Sequence, residues 1–485
     1  MSSNFKRFTL AAGMVLTMGY LVGCGTRGEN TGFGDKSTGG GAPSLSGAAA
    51  AGTAGTGGSI TGGVTGTATV NSAFPSTTVT GLTISNMLAT ITGGGGGAGA
   101  NVAATRLGFG NFGGGVRPVV VQGFGAGTLG RVSILPRNPE ATPGTSNILL
   151  APNVGTASPQ SLTNPFGLLV DGSTIYVTEG ATSGATGRII RYTGINTTTG
   201  QCTGDQIAIG LNRPVDIAKD GNFLYVAEFG ATGVGNGQVT RIDLSTTPPT
   251  VVRPYIASVS FCSSLVTDTA NGHHFLYVAE NAAGVGGTNG SVTRIDLSTF
   301  ASGTGLTGTG VQQILPATGQ TAYSNPYDLA VDGFSNVVIT EGLNAVADQI
   351  NPSSTGGAIR VITGGTTPAI TSQVVLQNST SGSTSGLSAL RGISLFNEDS
   401  TGTVLTGFFT EGPPTALTST LRQVTFRASD AAIFRHLILD SGKQSPLDTL
   451  FDQGDTSASP VIRPNVKYTQ GAFGTAGQGQ VLDVR

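Results

Sequence analysis

Two stretches of this chain are nearly the same sentence. LYVAEFGATGVGNGQVTRIDLS runs from Leu224 to Ser245, and LYVAENAAGVGGTNGSVTRIDLS from Leu276 to Ser298. Weaker copies align on an acidic or amide residue that closes a short apolar run: Gln122, Glu179, Glu228, Glu280, Glu341, Glu411 and Gln470, spaced by 49 to 70 residues. Such a repeat limits the fold severely. One unit cannot bury its own apolar faces, so it must stack on its neighbours, and loops of varied length then hang from a constant scaffold.

Each unit resolves into four β-type runs. In the second copy these are Pro165–Val170, a turn at Asp171-Gly172, Thr174–Thr178, Arg188–Tyr192 after a Gly-rich loop, and Gln206–Ile209. Short runs rich in Val, Ile and Tyr, bounded by Gly, Asn, Asp and Pro, are strands. Four antiparallel strands in a repeated unit make a propeller blade. The expected fold is therefore all-β: a β-propeller over residues 77–485, with seven blades favoured by the count and six as the alternative.

The units NPFGLLVDGSTIYVTEG, RPVDIAKDGNFLYVAEFG and NPYDLAVDGFSNVVITEG, each followed by a G-x-[IV]-x-R run, resemble NHL-type and YVTN-type propeller repeats. They are also similar to blades of virginiamycin B lyase-like proteins. The resemblance implies the architecture and little about activity, because propellers serve as binding proteins, scaffolds and enzymes alike. Virginiamycin B lyase-like enzymes use His and Glu in their inner loops, and no matching histidines can be placed here. Gluconolactonase-type propellers put Asn or Asp metal ligands directly after the Pro of the inner strand, where this chain has Phe166, Val215 and Tyr327.

Residues 1–23 have the form of a signal peptide: Lys6 and Arg7, an apolar stretch from Phe8 to Val22, and small residues before Cys24. The ending LVGC resembles a bacterial lipobox. That resemblance implies lipid attachment at Cys24 and, with Gly25 rather than Asp next, an outer-membrane lipoprotein facing the periplasm or the outside. Residues 24–76 are Gly, Ala, Thr and Ser with few large apolar residues, too few to offset the entropy of ordering. They are expected to be a flexible tether with a span of about 40 Å.

Charged residues make up 10% of the chain and the net charge is −2, which argues against a nucleic-acid partner. With Cys24 lipidated, Cys202 and Cys262 remain, either as a possible disulfide between adjacent copies or as two free buried thiols. The three histidines offer little chemistry: His273 and His274 fall in a tight turn, and His436 is expected to face solvent from an edge strand. No nucleophile elbow, H-E-x-x-H or P-loop occurs.

The repeated glutamates could form a ring of metal ligands, but Gln122 and Gln470 fill the same slot without charge. A structural acceptor for amides of the following loop fits better. Asp216 and Asp328 differ, since other copies lack an acid at that position: alignment of NPFG, RPVD, SSLV, NPYD and ALRG puts Gly167, Val266 and Gly392 there. They are candidate ligands for a divalent cation such as Ca²⁺ at the channel mouth, or a partner for Arg391. The alternative is that each Asp caps backbone amides.

Two further expectations concern the whole ring. The long loops between second and third strands, such as Asn344–Thr355, are candidate recognition surfaces. The last copy ends at GQVLDVR with only three strands, so Thr78–Ser85 is expected to supply the missing outer strand. The chain accordingly reads as a membrane-anchored binding or scaffold module whose partner is another envelope or extracellular protein. Catalysis is uncertain and less favoured; the alternative is a propeller lyase or hydrolase with a site in the central channel.

Overall fold

Every repeat becomes one antiparallel sheet, and seven sheets close into a ring. The computed structural model describes residues 76–484, apart from segments 88–103, 113–114, 123–128, 138–147, 153–161, 181–186, 231–236, 282–289, 343–356, 378–386, 388–389, 412–418, 444–447, 455–464 and 471–479 and a few single residues. Cys24, the expected signal peptide and tether, and Asn344–Thr355 lie outside the described residues.

Blade one comprises Ala104–Asn111, Val116–Gln122, Leu129–Ile134 and Ile148–Leu149. Blade two has Pro165–Asp171, Thr174–Glu179, Gly187–Thr193 and Gln201–Leu211; blade three has Pro214–Asp220, Phe223–Glu228, Gly237–Asp243 and Thr250–Val259. Blade four has Cys262–Asp268, Phe275–Glu280, Ser291–Asp296 and Val311–Pro316; blade five has Pro326–Val331, Val337–Glu341, Ala358–Ile362 and Thr371–Gln377. Blade six has Leu390–Asn397, Val404–Glu411, Ser419–Arg427 and Ile433–Lys443. In blade seven, Thr449–Asp452, Asn465–Gln470 and Gln480–Val484 are joined by Ile84–Asn86 from the other end of the chain. Consecutive inner strands lie against one another, and that of blade seven touches that of blade one.

The second strands show why the chain needs this ring. In LYVA of blade three, Leu224 and Val226 enter the core shared with blade two, while Tyr225 and Ala227 enter the core shared with blade four. Leu276 and Val278 against Tyr277 and Ala279 repeat the alternation one blade later. Alternate residues of a strand point to opposite faces, so a sheet buried on both faces needs a continuous apolar run. Among the described residues there is one such core at each of the seven blade interfaces.

Closure uses the predicted N-terminal segment in a divided way. Ile84–Asn86 pairs antiparallel with the last strand, Ile84 opposite Val484 and Asn86 opposite Leu482. Thr77–Thr78 instead runs parallel to the outer strand of blade six, Thr77 opposite Leu437. The segment therefore bridges two blades and covers both outer edges, which would otherwise present unpaired amides and carbonyls. Blades four and five share an edge as well, through parallel pairing of Leu315 with Thr371.

Candidate functional site

The inner strands begin at one mouth of the channel, and in blades one to six the pairing there carries a register shift. In blades three, four and five the ladder slips between Pro214 and Asp216, Cys262 and Ser264, and Pro326 and Asp328. Such a bulge turns one amide away from its regular partner. In four blades a threonine just before the repeated Glu or Gln accepts an amide at this end of the inner strand: Gly167 N donates to Thr178 Oγ1 (2.6 Å), Asp328 N to Thr340 (3.2 Å), Gly392 N to Thr410 (2.9 Å) and Asp448 N to Thr469 (2.9 Å). A buried amide left without an acceptor costs about 1–3 kcal/mol, which accounts for the recurring T-E and T-Q pairs.

The residue after the bulge reaches the next blade. Asp216 Oδ1 accepts from the amide of Ile217 (3.0 Å), and Oδ2 from the amide of Leu265 in blade four (3.0 Å) and from Ser264 Oγ (2.8 Å). Ser264 Oγ lies 3.0 Å from Asp328 Oδ1 and accepts from Leu329 N of blade five at 3.3 Å. Asp448 repeats the arrangement at the ring closure, accepting from Thr449 N (3.0 Å) and from Leu107 N of blade one (2.8 Å). All four side chains are buried. Their common work is to staple one inner strand to the next. At Gly167 of blade two a Cβ would lie 2.9 Å from the Val215 carbonyl oxygen, so no side chain fits.

The structure thus brings Asp216 and Asp328 together, with Ser264 between them. It corrects the sequence alignment at this point: Ser264, not Val266, is their equivalent in blade four, because that inner strand starts at Cys262, two residues earlier than the alignment with the prolines had placed it. Arg391 sits one position earlier, in the bulge of blade six, and hydrogen bonds to neither carboxylate. Among the described residues no group of three or more His, Cys, Asp or Glu side chains gathers around one point. Calcium usually takes six to eight oxygens.

The repeated glutamates are structural acceptors, but of different donors from those expected. Arg253 grips Glu228 (Nη2–Oε2 2.8 Å), which also accepts from the Asn212 amide ahead of the inner strand; Arg188 holds Glu179 at 2.9 Å. Arg360 pairs with Glu341 and Arg422 with Glu411. Glu280 accepts from Ser260 N at 2.7 Å. The amides that follow Glu228, of Phe229 and Gly230, bond the carbonyls of Arg213 and Asn212 instead. For Arg188, Arg360 and Arg422 an arginine near the start of the third strand was the unused signal, whereas Arg253 comes from the fourth strand of its blade.

One histidine brings a further correction. His436 does not face solvent: it is buried, 3.0 Å from Arg422 Nη1, because the outer edge of blade six is covered by Thr77–Thr78. His273 joins blades four and five, with Nδ1 3.0 Å from Asp268 Oδ2 and Nε2 3.0 Å from the Thr366 carbonyl. His274 lies 2.9 Å from Asp220. Cys202 and Cys262 form no disulfide. Cys202 lies on the outer strand of blade two, in the core shared with blade one, whereas Cys262 opens the inner strand of blade four. Burial raises both thiols, Cys202 to about 11.

No family model matches the sequence, and no curated protein does. Among solved structures the fold is similar to a candidate oxidoreductase (glucose dehydrogenase) of Thermus thermophilus, with 13% identity and a TM-score of 0.40 over 67% of this chain and 97% of that one. It is also similar to a candidate 6-phosphogluconolactonase of Bacteroides uniformis, with 11% identity and a TM-score of 0.44 over 75% of this chain and 95% of that one. At these values neither likeness bears on activity. The propeller assignment rests on the seven sheets and their closed inner ring.

Proposed function

We propose that this chain is an envelope-anchored β-propeller lipoprotein that acts as a binding or scaffold module. The observation that carries the reading is the use made of its reactive groups. Asp216, Ser264, Asp328 and Asp448 hold inner strands together, His273 spans two blades, and the repeated glutamates are engaged by arginines or backbone amides. General acid–base work needs a group free to exchange protons with a substrate, and these side chains are committed to the ring. A rigid ring with loops of varied length suits recognition.

Capture from native envelope tests the reading. A partner or ligand retained at a fixed ratio, and lost when the loops are shortened, supports it; turnover of a substrate by the purified chain with no retained partner would overturn it. Anchoring is tested separately by metabolic labelling with a fatty acid, which Cys24→Ser should abolish.

A further inference from the structure

Among the described residues, buried arginines have acceptors, with one clear exception. Arg360 and Arg422 meet carboxylates, and Arg294 donates to the Pro368 carbonyl at 2.9 Å and to Gln312. Arg391 is fully buried, yet among the described residues none of its three guanidinium nitrogens has a hydrogen-bond acceptor. Burial lowers its pKa to about 10, so the group remains charged at neutral pH. A buried, unpaired guanidinium is among the most costly arrangements a fold can hold, and buried polar groups of this kind call for a partner.

The neighbourhood is that of the channel mouth. Arg391 is the second residue of its inner strand, its carbonyl accepts from Thr340 Oγ1 of blade five (3.0 Å), and Tyr327 of the same blade is its electrostatic neighbour. Two blades on, beyond blade seven, Arg106 occupies the corresponding end of the inner strand of blade one. Its Nε has no acceptor among the described residues, and its one hydrogen bond there goes to the carbonyl of its own neighbour Thr105 at 3.3 Å, while the guanidinium lies 4.9 Å from the Phe166 ring centroid. Bonds between equivalent positions of successive inner strands put these strand starts at the same mouth. Two under-satisfied arginines therefore stand at inner-strand starts two blades apart, and the collar carboxylate of the blade between them, Asp448, is turned to the amides of Thr449 and Leu107.

We propose that this sector, from blade six to blade one, binds an oxyanion-bearing small ligand, with Arg391 as the principal anchor and Arg106 as a second donor. The planar fork of donors on an arginine fits a carboxylate or a phosphoryl group through two parallel bonds. This deepens the binding reading by naming the chemistry of the ligand.

The test is thermal unfolding of the full mature chain at constant ionic strength, with chloride replaced stepwise by phosphate in one arm and by citrate in the other. Binding to the folded state alone predicts a saturable rise in melting temperature of about 2–5 °C. A response confined to phosphate assigns a phosphoryl ligand, and one confined to citrate a carboxylate. Arg391→Met should abolish the rise and melt in chloride at or above the wild-type temperature, since an unpaired buried charge has been removed; Arg391→Lys should keep a smaller rise. No saturable rise in either arm, or one unchanged in Arg391→Met, overturns the proposal. Should Arg391→Met fail to fold, isothermal titration of the wild type and Arg391→Lys with phosphate and citrate decides: no heat of binding, or equal affinity in both proteins, overturns it. The binding reading itself falls separately, if envelope capture retains nothing while the anion response is present.

Discussion

Removing the Asp216 carboxylate should open the ring between blades three and four. The side chain is wholly buried and accepts from two backbone amides, Ile217 and Leu265, and from Ser264 Oγ. In Asp216→Ala the serine hydroxyl can turn to Asp328, 3.0 Å away. The two amides have no such alternative, and each orphaned donor costs about 1–3 kcal/mol. Release of a buried carboxylate offsets part of that, so the net loss is about 3 kcal/mol. Asp216→Asn keeps one carbonyl oxygen but points an NH₂ at one of the amides, and should lose about half as much. With no Trp in the chain, urea unfolding is best followed by tyrosine fluorescence together with far-ultraviolet dichroism. Coincident transitions are needed before either loss is read as a free energy. A double-mutant cycle with Ser264→Ala should show coupling of about 0.5–3 kcal/mol. The control Asp243→Ala, whose carboxylate bonds Ser245 in its own turn, should leave the midpoint unchanged. If Asp216→Ala unfolds within about 0.5 kcal/mol of wild type, the staple is not what holds these blades together.

Three further outcomes are expected. A chain beginning at Asn101 lacks both Thr77–Thr78 and Ile84–Asn86 and should aggregate or melt well below the full chain; equal melting temperatures would remove the closing role of that segment. Alkylation of the purified protein under denaturing, non-reducing conditions should modify Cys202 and Cys262 fully, with little modification in the folded state; a mass shift only after reduction would mean that they are bridged. Burial raises the Asp332 carboxyl from 3.8 to about 6. Its folded pKa therefore exceeds the unfolded one, and the stability it contributes is whole below the unfolded value and lost as pH rises through about 6. That loss is about 3 kcal/mol by pH 7, and Asp332→Asn should lack it in urea unfolding between pH 4 and 7; equal pH dependence in the two proteins would contradict the assignment.

Much of the fold was legible in the sequence because its causes are local and periodic. The repeated LYVAE run states that a strand is buried on both faces, and seven such runs state how many sheets must stack. The short last copy and the alternating segment Thr78–Ser85 announced the closure, although only the tertiary structure divided the N-terminal segment between blades six and seven. The collar was legible in part. Asp216 and Asp328 stood out because their position is not acidic in every copy, but Ser264 was misplaced by two residues. The inner strand of blade four opens with Cys262 where blades two, three and five have a proline, and its turn to the second strand, Thr269–His274, is longer, so the aligned motif offers no fixed point to count from there. The partners of the glutamates, the burial of His436 and the separation of Cys202 from Cys262 depend on which edge each strand presents to its neighbour. Arg391 makes the same point most sharply. Its type and position were visible from the start, whereas its lack of an acceptor is a property of everything packed around it, and only the assembled ring decides that.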